Sequence, residues 1–441
     1  MELKIVDMSS GQNESLFTNL DSRQKMDLTE VNETVDRILD QVQQQGDEAL
    51  YALTQRYDRV DLSGENFKIP AEQLAAAAAS IDSDLRAASE TAAANIRRFH
   101  AKQLEGEAEM ELDDGRGRRT ALLSRPLDTV GIYVPGGSAP LPSSVLMNAI
   151  PAKVAGVRRL IMATPPQADG TVADVILAAA AIAGVDAVYR VGGAQAIAAM
   201  AYGTEQIPAV DKLVGPGNIY VNVAKQKVFG TVDIDLFAGP SEILIIAADD
   251  ADPLFVAADL MSQAEHDKLS SAILICSSRD LAEQVRACVT RLLDGHPRRA
   301  IVEASLDRYG AILLVDSLDG AISLANRIAP EHLELSMDAT LARTLIPQIR
   351  NAGAVFIGPY SPEPLGDYWA GSNHVLPTSG TARFFSPLST RDFMKRMTVI
   401  QYDETALLED AEQIIRLAEA EGLASHAYSI RARVDKSREV R

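Results

Sequence analysis

Between Leu127 and Gly358 the chain alternates short, unbroken apolar runs with stretches of helical spacing. VGIYVP, RLIMAT, AVYRVG and DKLVGPG form a first series; EILIIAAD, SAILICS, GAILLVD, HLELS and AGAVFIG form a second. A strand with one wet face alternates polar and apolar residues. A strand that stays apolar along its length must be covered on both faces, the condition of a parallel sheet with helices above and below. The two series meet near Gly239-Pro240-Ser241 and predict an α/β fold of two doubly wound (Rossmann-like) parallel-sheet modules. Diverged copies of one unit would give this pattern, although no repeated motif marks them.

The flanks have another texture. Apolar positions in VNETVDRILDQVQQQGDEALYALTQRYD recur at helical spacing, and Pro70 opens an Ala-rich helical stretch over residues 71–104. LEGEAEMELDDGRGRRT reads as a loop or hairpin. The division expected is a helical region over 1–125, a first α/β module over 126–240 and a second over 241–360. Residues 361–441 follow as a loop-rich segment, a last helix near Glu404–Glu421 and a polar tail. With 441 residues, the chain exceeds the roughly 100–200 of a single domain.

Charge narrows the partners. Against 61 Asp and Glu stand 42 Lys and Arg, a net charge of −19 that repels phosphate backbones and anionic lipid. Nucleic acid and membrane surfaces are therefore not expected partners. The longest quiet stretch, Val175–Val185, lies between Asp174 and Asp186 and is far short of the roughly 20 apolar residues of a spanning helix. Cys276 and Cys288 cannot build a disulfide scaffold. MELKIVDMSSGQ has neither the basic nor the apolar region of a signal peptide, so the cytoplasm is the expected location.

Open α/β sheets bind ligands beyond the carboxyl ends of their strands. Three glycine turns belong at that edge. VGIYVPGGSAPLPSS carries Gly136-Gly137 and Ser143-Ser144, VGGAQA carries Gly192-Gly193 and Gln195, and VGPGNIY carries Asn218 at a helix mouth. Glycines there let a backbone approach closely, and helix N-termini favour phosphate oxygens. Each alone is an ordinary βα turn. No GxGxxG is present, since Gly115–Thr120 and Gly215–Tyr220 both fail at the last position.

Six histidines are His100, His266, His296, His332, His374 and His426. His100, in RRFH, and His296, in DGHPRR, read as solvated surface residues. Gln263 and His266 in SQAEHD are three apart and share a helix face. They could hold two corners of a metal site or simply finish a helix. In IAPEHLEL, Pro330 keeps Ala329 out of the α region, so a helix over 318–328 should stop there. Glu331 and His332 then open the next strand as an acid–imidazole pair suited to proton transfer, or as an exposed turn. Asp367 and His374 share the Gly-rich GDYWAGSNH, and Glu421 and His426 share EGLASH. Neither cysteine has a His or Lys neighbour to lower its pKa, so no thiol nucleophile is expected.

Read together, VPGGSAPLPSSVLMNAIPAKVAGV, GGAQAIAA, VGPGNIYV, GPSEIL, SQAEHD, NRIAPEHLEL, GDYWAGSNHVLPTSGTAR, DFMKRM and EGLASH resemble, in order, the histidinol dehydrogenase family. GDEALYALTQRYD near the start resembles it too, and the Ser in EGLASH is a minor departure. The resemblance implies oxidation of L-histidinol to L-histidine through L-histidinaldehyde with two NAD, the last step of histidine biosynthesis. It implies one zinc per subunit, held by Gln263, His266 and Asp367 with His426 from the other subunit of a homodimer that shares its active sites. It makes Glu331 and His332 the catalytic acid/base pair. Ser241, His374 and Glu421 become substrate contacts alongside His332 and the zinc ligands, and Tyr133, Gln195 and Asn218 become NAD contacts. Rival readings are a paralogue oxidising another alcohol such as a sulfonated diol, a zinc hydrolase, and a catalytically dead binding protein. Retained Glu421 and His374 disfavour a sulfonate. The absence of HExxH, and three glycine turns left without a purpose, disfavour the hydrolase.

Overall fold

The structure, a computed structural model, describes residues 3–8, 28–63, 67–107, 109–136, 140–237 and 239–439. Gly137 of the first glycine turn, and the opening segment beyond Met8, lie outside them. In chain order the strands are β1 (Ile5–Asp7), β2 (Lys68–Ile69), β3 (Met110–Asp113), β4 (Arg118–Pro126), β5 (Thr129–Tyr133), β6 (Arg159–Thr164), β7 (Ala187–Arg190) and β8 (Lys212–Val214). They continue with β9 (Asp233–Ile234), β10 (Glu242–Ala247), β11 (Ser271–Cys276), β12 (Ala311–Leu314), β13 (His332–Ser336), β14 (Ala354–Ile357) and β15 (Met394–Tyr402). The chain divides into two compact units, Met1–Gln103 with Leu127–Phe393, and Leu104–Pro126 with Met394–Arg441.

The first unit holds two six-stranded sheets, in the orders β2-β7-β6-β5-β8-β9 and β1-β12-β11-β10-β13-β14. Counting each module's own strands from one, both orders read 3-2-1-4-5. The two modules therefore share one topology even though no sequence motif repeats. Each gains a sixth strand from the N-terminal region. β1 joins β12 in parallel, and β2 joins β7 antiparallel. These edge strands, three and two residues long, lie outside the helically spaced windows and are too short to carry a period of their own, so only pairing with a sheet reveals them.

Cover on both faces is visible residue by residue. Along β10, Ile243, Ile245 and Ala247 enter one apolar cluster while Leu244 and Ile246 enter another. The first sheet is covered partly by the N-terminal helices, whose Val35, Ile38, Leu39, Leu50 and Leu53 pack with Tyr133, Ile161 and Tyr189. Helix Leu318–Ile328 is capped by the Ser317 side chain and ends where Ala329 leaves the right-handed region at φ 55°. Pro330 stops it as expected. Residues 361–393 also belong to this unit, and the Asn373 amide donates to the Met147 carbonyl at 2.7 Å.

The second unit is an antiparallel sheet, β15-β4-β3, with helices Glu404–Ala420 and Ala424–Glu439. The charged, Gly-punctuated stretch is its β3–β4 hairpin. Arg118 on β4 reaches Asp410 at 2.7 Å and Glu409 at 2.9 Å, tying the helix to the hairpin. The polar tail is a helix in its own right, resting on Ala427, its one buried residue. β15 is long and almost wholly exposed, and no alternation pattern announces it.

His100 corrects the sequence reading. It is fully buried, with Nδ1 2.6 Å from Gln103 Oε1, because the helix Ser83–Leu104 turns that face inward with Ala93 and Ile96. Among the described residues no helix is long and apolar enough to cross a membrane.

Candidate active site

In both sheets the strand order reverses beside the first module strand, between β5 and β8 and between β10 and β13. Such a switch point leaves a crevice, and the carboxyl edge is where ligands are expected. The first sheet follows the rule. A cavity of about 500 Å³ opens there, lined by Tyr133, Gly193, Gln195 and Asn218 among others. Tyr133 ends β5, and its hydroxyl accepts a hydrogen bond from the Gly193 N–H at 3.1 Å. Burial, with the Asp58 carboxyl nearby, pushes the Tyr133 phenol up to about 12. Gln195 is buried in the first turn of helix Gly193–Tyr202. Asn218 is exposed and caps helix Ile219–Val228, its Oδ1 accepting from the N–H groups of Tyr220 and Val221.

Only glycine fits at Gly215. Its φ is 111°, and a Cβ there would lie 2.1 Å from the Tyr133 carbonyl oxygen. Beneath it, buried Lys225 donates to the Gly215 carbonyl and pairs with Asp235, whose other oxygen accepts from the Gly215 N–H at 2.7 Å. Both halves of the glycine's hydrogen-bonding capacity are thus clamped, which fixes the turn that presents Asn218.

The second sheet gathers its residues at the opposite edge, where the sequence reading already put Glu331 and His332 at a strand start. Glu242 and His332 are the first residues of β10 and β13, so the crevice lies at the amino ends. The Glu242 N–H donates to Glu331 Oε2 at 2.8 Å, and the Glu242 carbonyl meets His332 Nδ1 at 3.0 Å. The backbone of one residue, Glu242, therefore holds both members of the pair. Nδ1 carries the proton in that contact, which leaves the Nε2 lone pair inward, buried and without a hydrogen-bond partner. Burial pulls His332 down to about 4. Glu331 and His332 are 6% and 4% exposed, which rules out the exposed turn. Ser241, half-buried, immediately precedes β10.

Helices return to this same amino edge. Gln263 lies at the end of helix Pro253–Ala264, fully buried, with neither side-chain polar atom bonded. His266 follows, exposed, close enough to bear on the ionisation of both His332 and His374. Asp367 Oδ1 is 3.7 Å from His374 Nδ1. Glu363, one helical turn before Asp367, places Oε1 3.7 Å from His332 Nε2. The sequence reading omitted Glu363; its signal was the four-residue spacing to Asp367, which puts two carboxylates on one face of helix Glu363–Tyr368. Glu334 on β13 accepts from the Glu363 N–H at 2.7 Å and holds that helix start. Burial, then neighbouring acids, pushes the carboxyls of Glu363 and Glu334 well up.

His332, Glu363 and Asp367 offer ligand atoms all within 4.8 Å of one another. Of these, His332 Nε2 and Glu363 Oε1, like both polar atoms of the Gln263 amide, are buried without a hydrogen-bond partner, a condition that a divalent cation beside half-buried Asp367 would satisfy. Glu421 and His426 belong to the second unit. Glu421 ends helix Glu404–Ala420, His426 lies in the following helix, and both are exposed.

Fold and site together define a two-module α/β enzyme of the dinucleotide-dependent kind, with a buried acid–imidazole pair beside a cluster of donors of the types that ligate metals. The family model for histidinol dehydrogenase matches residues 21–434. The chain is 48% identical over 433 residues to histidinol dehydrogenase of Clostridium acetobutylicum, covering 98% of this chain and 99% of that one. It is 50% identical over 405 residues to the Oceanobacillus iheyensis protein of that name, covering 92% and 93%. The crystal structure of histidinol dehydrogenase from Elizabethkingia anophelis superposes with a TM-score of 0.87 at 37% identity, over 94% of this chain and 93% of that one. The chain belongs to the histidinol dehydrogenase family.

Proposed function

We infer that this chain is an NAD-dependent oxidoreductase that converts L-histidinol to L-histidine, the last step of histidine biosynthesis. Family membership carries the activity. The observation that carries the chemistry is the backbone of Glu242, whose N–H holds Glu331 and whose carbonyl holds His332. The conversion is two oxidations, alcohol to aldehyde and hydrated aldehyde to acid, and each releases one proton. His332, neutral and with Nε2 directed inward, takes that proton in both. Glu331, anchored through one oxygen, activates the water that hydrates histidinaldehyde. A hydrate is favoured over a thiohemiacetal because Cys276 is buried on β11, where burial pushes its thiol up to about 11. NAD, when bound, accepts hydride at each oxidation.

We assign zinc to Gln263, His266 and Asp367 of one subunit with His426 of the partner subunit. Zinc, when bound, holds and orients the substrate's imidazole and amine. Ser241, His374, His332 and the ligands would contact the substrate, with Glu421 meeting its ammonium. Tyr133, Gln195 and Asn218 would contact NAD. The supports are the unbonded Gln263 amide and the first-sheet cavity. A homodimer with shared sites follows from placing His426 and Glu421 on the partner. Two free cysteines suit a reducing compartment, and we propose the cytoplasm.

NADH absorbance on adding L-histidinol and NAD tests the activity, and no signal with zinc-loaded protein would reject it. Prolonged chelation should abolish turnover while circular dichroism keeps its folded spectrum. Added Zn²⁺ should restore activity, because a thiolate-free site releases metal without unfolding the sheets. Full activity in protein shown metal-free by elemental analysis would reject the zinc assignment.

A further inference from the structure

One acid in the first-sheet cavity takes no part in the chemistry above. Asp58 lines that cavity beside Tyr57, Tyr133 and Gly193. It caps the carboxyl end of helix Asp47–Tyr57, where the helix dipole disfavours negative charge. Its Oδ2 is buried and has no hydrogen-bond partner. Burial pushes its carboxyl up to about 6. The sequence neighbours Arg56 and Arg59 are exposed, and the Arg56 guanidinium lies over the Tyr57 ring. An acid held at the wrong end of a helix, partly desolvated and unpaired, destabilises the folded chain. A ligand that brings hydrogen-bond donors would offset that cost.

The shape of the cavity says which part of the ligand arrives. Its lining comes from the first module and the N-terminal helices, and neither Glu331 nor His332 contributes. Hydride transfer requires the nicotinamide at Glu331 and His332, so the cavity takes the opposite, adenosine half. We propose that Asp58 accepts hydrogen bonds from the 2′- and 3′-hydroxyls of the adenosine ribose and so selects NAD over NADP. This rests on the assignment of the cavity to NAD. Two hydroxyls are donors that a carboxylate pairs with side by side. A 2′-phosphate has only acceptors and brings like charge against a half-buried acid. Other dinucleotide folds place an acid on the ribose from the end of a strand. Here the acid comes from a helix outside the module, which is why no GxGxxG spacing announces it.

The test is a cycle on the zinc-loaded enzyme, using AMP, 2′-deoxy-AMP, IMP and 2′,5′-ADP as competitors against NAD. The wild type should bind AMP about 10-fold tighter than 2′-deoxy-AMP, the worth of a hydrogen bond to a charged group, with 2′,5′-ADP weaker still. Asp58→Ala should close the gap between AMP and 2′-deoxy-AMP and raise the NADP:NAD ratio of kcat/KM by about 10-fold. Asp58→Asn, which keeps an acceptor and loses the charge, should keep part of the hydroxyl preference and tolerate 2′,5′-ADP. Since Asp58 has an unpaired oxygen, neither variant should lower Tm. A gap that survives in Asp58→Ala overturns the proposal. So does a collapse of the AMP–IMP difference instead, which would place the acid on the adenine amine. If Gln195→Ala raises the KM for NAD and Asp58→Ala does not, this proposal alone falls. If neither variant moves it and no fragment competes, the cavity assignment falls and takes the proposal with it.

Discussion

The two sheets of the first unit share a strand order and use opposite edges. The first gathers glycine turns and two helix N-termini at its carboxyl edge, where Gly193, Gln195 and Asn218 line a cavity. The second presents side chains at its amino edge, Glu331 and His332 at the start of β13 and Gln263 at the end of a returning helix. The difference follows from what each must hold. On the proposed reading the first edge takes the dinucleotide, whose phosphates and ribose need a close backbone approach that glycine turns allow. A cation and a proton need imidazole, carboxylate and amide, and these require side chains converging in a buried crevice. Topology alone therefore does not locate a ligand. The residue chemistry at each edge decides which end of the crevice is used.

The largest effect should come from the second edge. His332→Asn should cut turnover of both histidinol and histidinaldehyde by about 10²–10⁴-fold, the range of general acid–base catalysis. Glu331→Gln should impair aldehyde oxidation more than alcohol oxidation. Supplying the two substrates separately checks this, and equal losses for Glu331→Gln would remove its assigned role on water.

Next comes the question of whether that edge is complete within one chain. His332→Asn and His426→Ala homodimers should both be nearly inactive. A mixed dimer, purified with two affinity tags, collects both lesions in one site and none in the other. It should recover up to about half of wild-type activity. A mixed dimer as dead as its parents would sink the shared site.

A smaller, selective effect should mark the first edge. Gly215→Ala places a Cβ against the Tyr133 carbonyl and distorts the turn that presents Asn218. The KM for NAD should rise by about 10-fold or more, while binding of histidinol measured by calorimetry without NAD stays unchanged. If both affinities fell together, the two edges would not be separable as drawn.

The smallest effect is on stability. The Asp58 carboxyl has a folded pKa of about 6 against an ordinary 3.8. The folded state therefore binds more protons than the unfolded state between these values, and wild-type stability falls as pH rises through that window. Asp58→Asn should match the wild type at pH 4 and exceed it above pH 6, by about 1–2 °C in Tm. Scanning calorimetry at the two pH values checks it, and an equal shift at both would show that burial of the charge is not the cause.

Much of this was legible in the chain. Unbroken apolar runs specified two parallel sheets because only a doubly covered strand lacks polar alternation. Pro330 ended a helix and set Glu331 and His332 at a strand start because the pre-proline residue avoids the α region. Local rules also placed Gln263 and His266 at a helix end and the glycine turns after β7 and β8.

Other features belong to tertiary structure. β1 and β2 are too short to carry a pattern and exist as strands only through the sheets they extend. His100 is buried because of what its helix packs on, which an RRFH segment cannot express. Glu363 becomes part of the site only when β13 turns Glu334 toward its N–H and the short helix swings it to His332. Periodicity reports which face of an element is covered. Which edge of a sheet gathers a site, and which distant acid reaches a cavity, depends on contacts between residues far apart in sequence. Those contacts are settled only when the whole chain closes on its core.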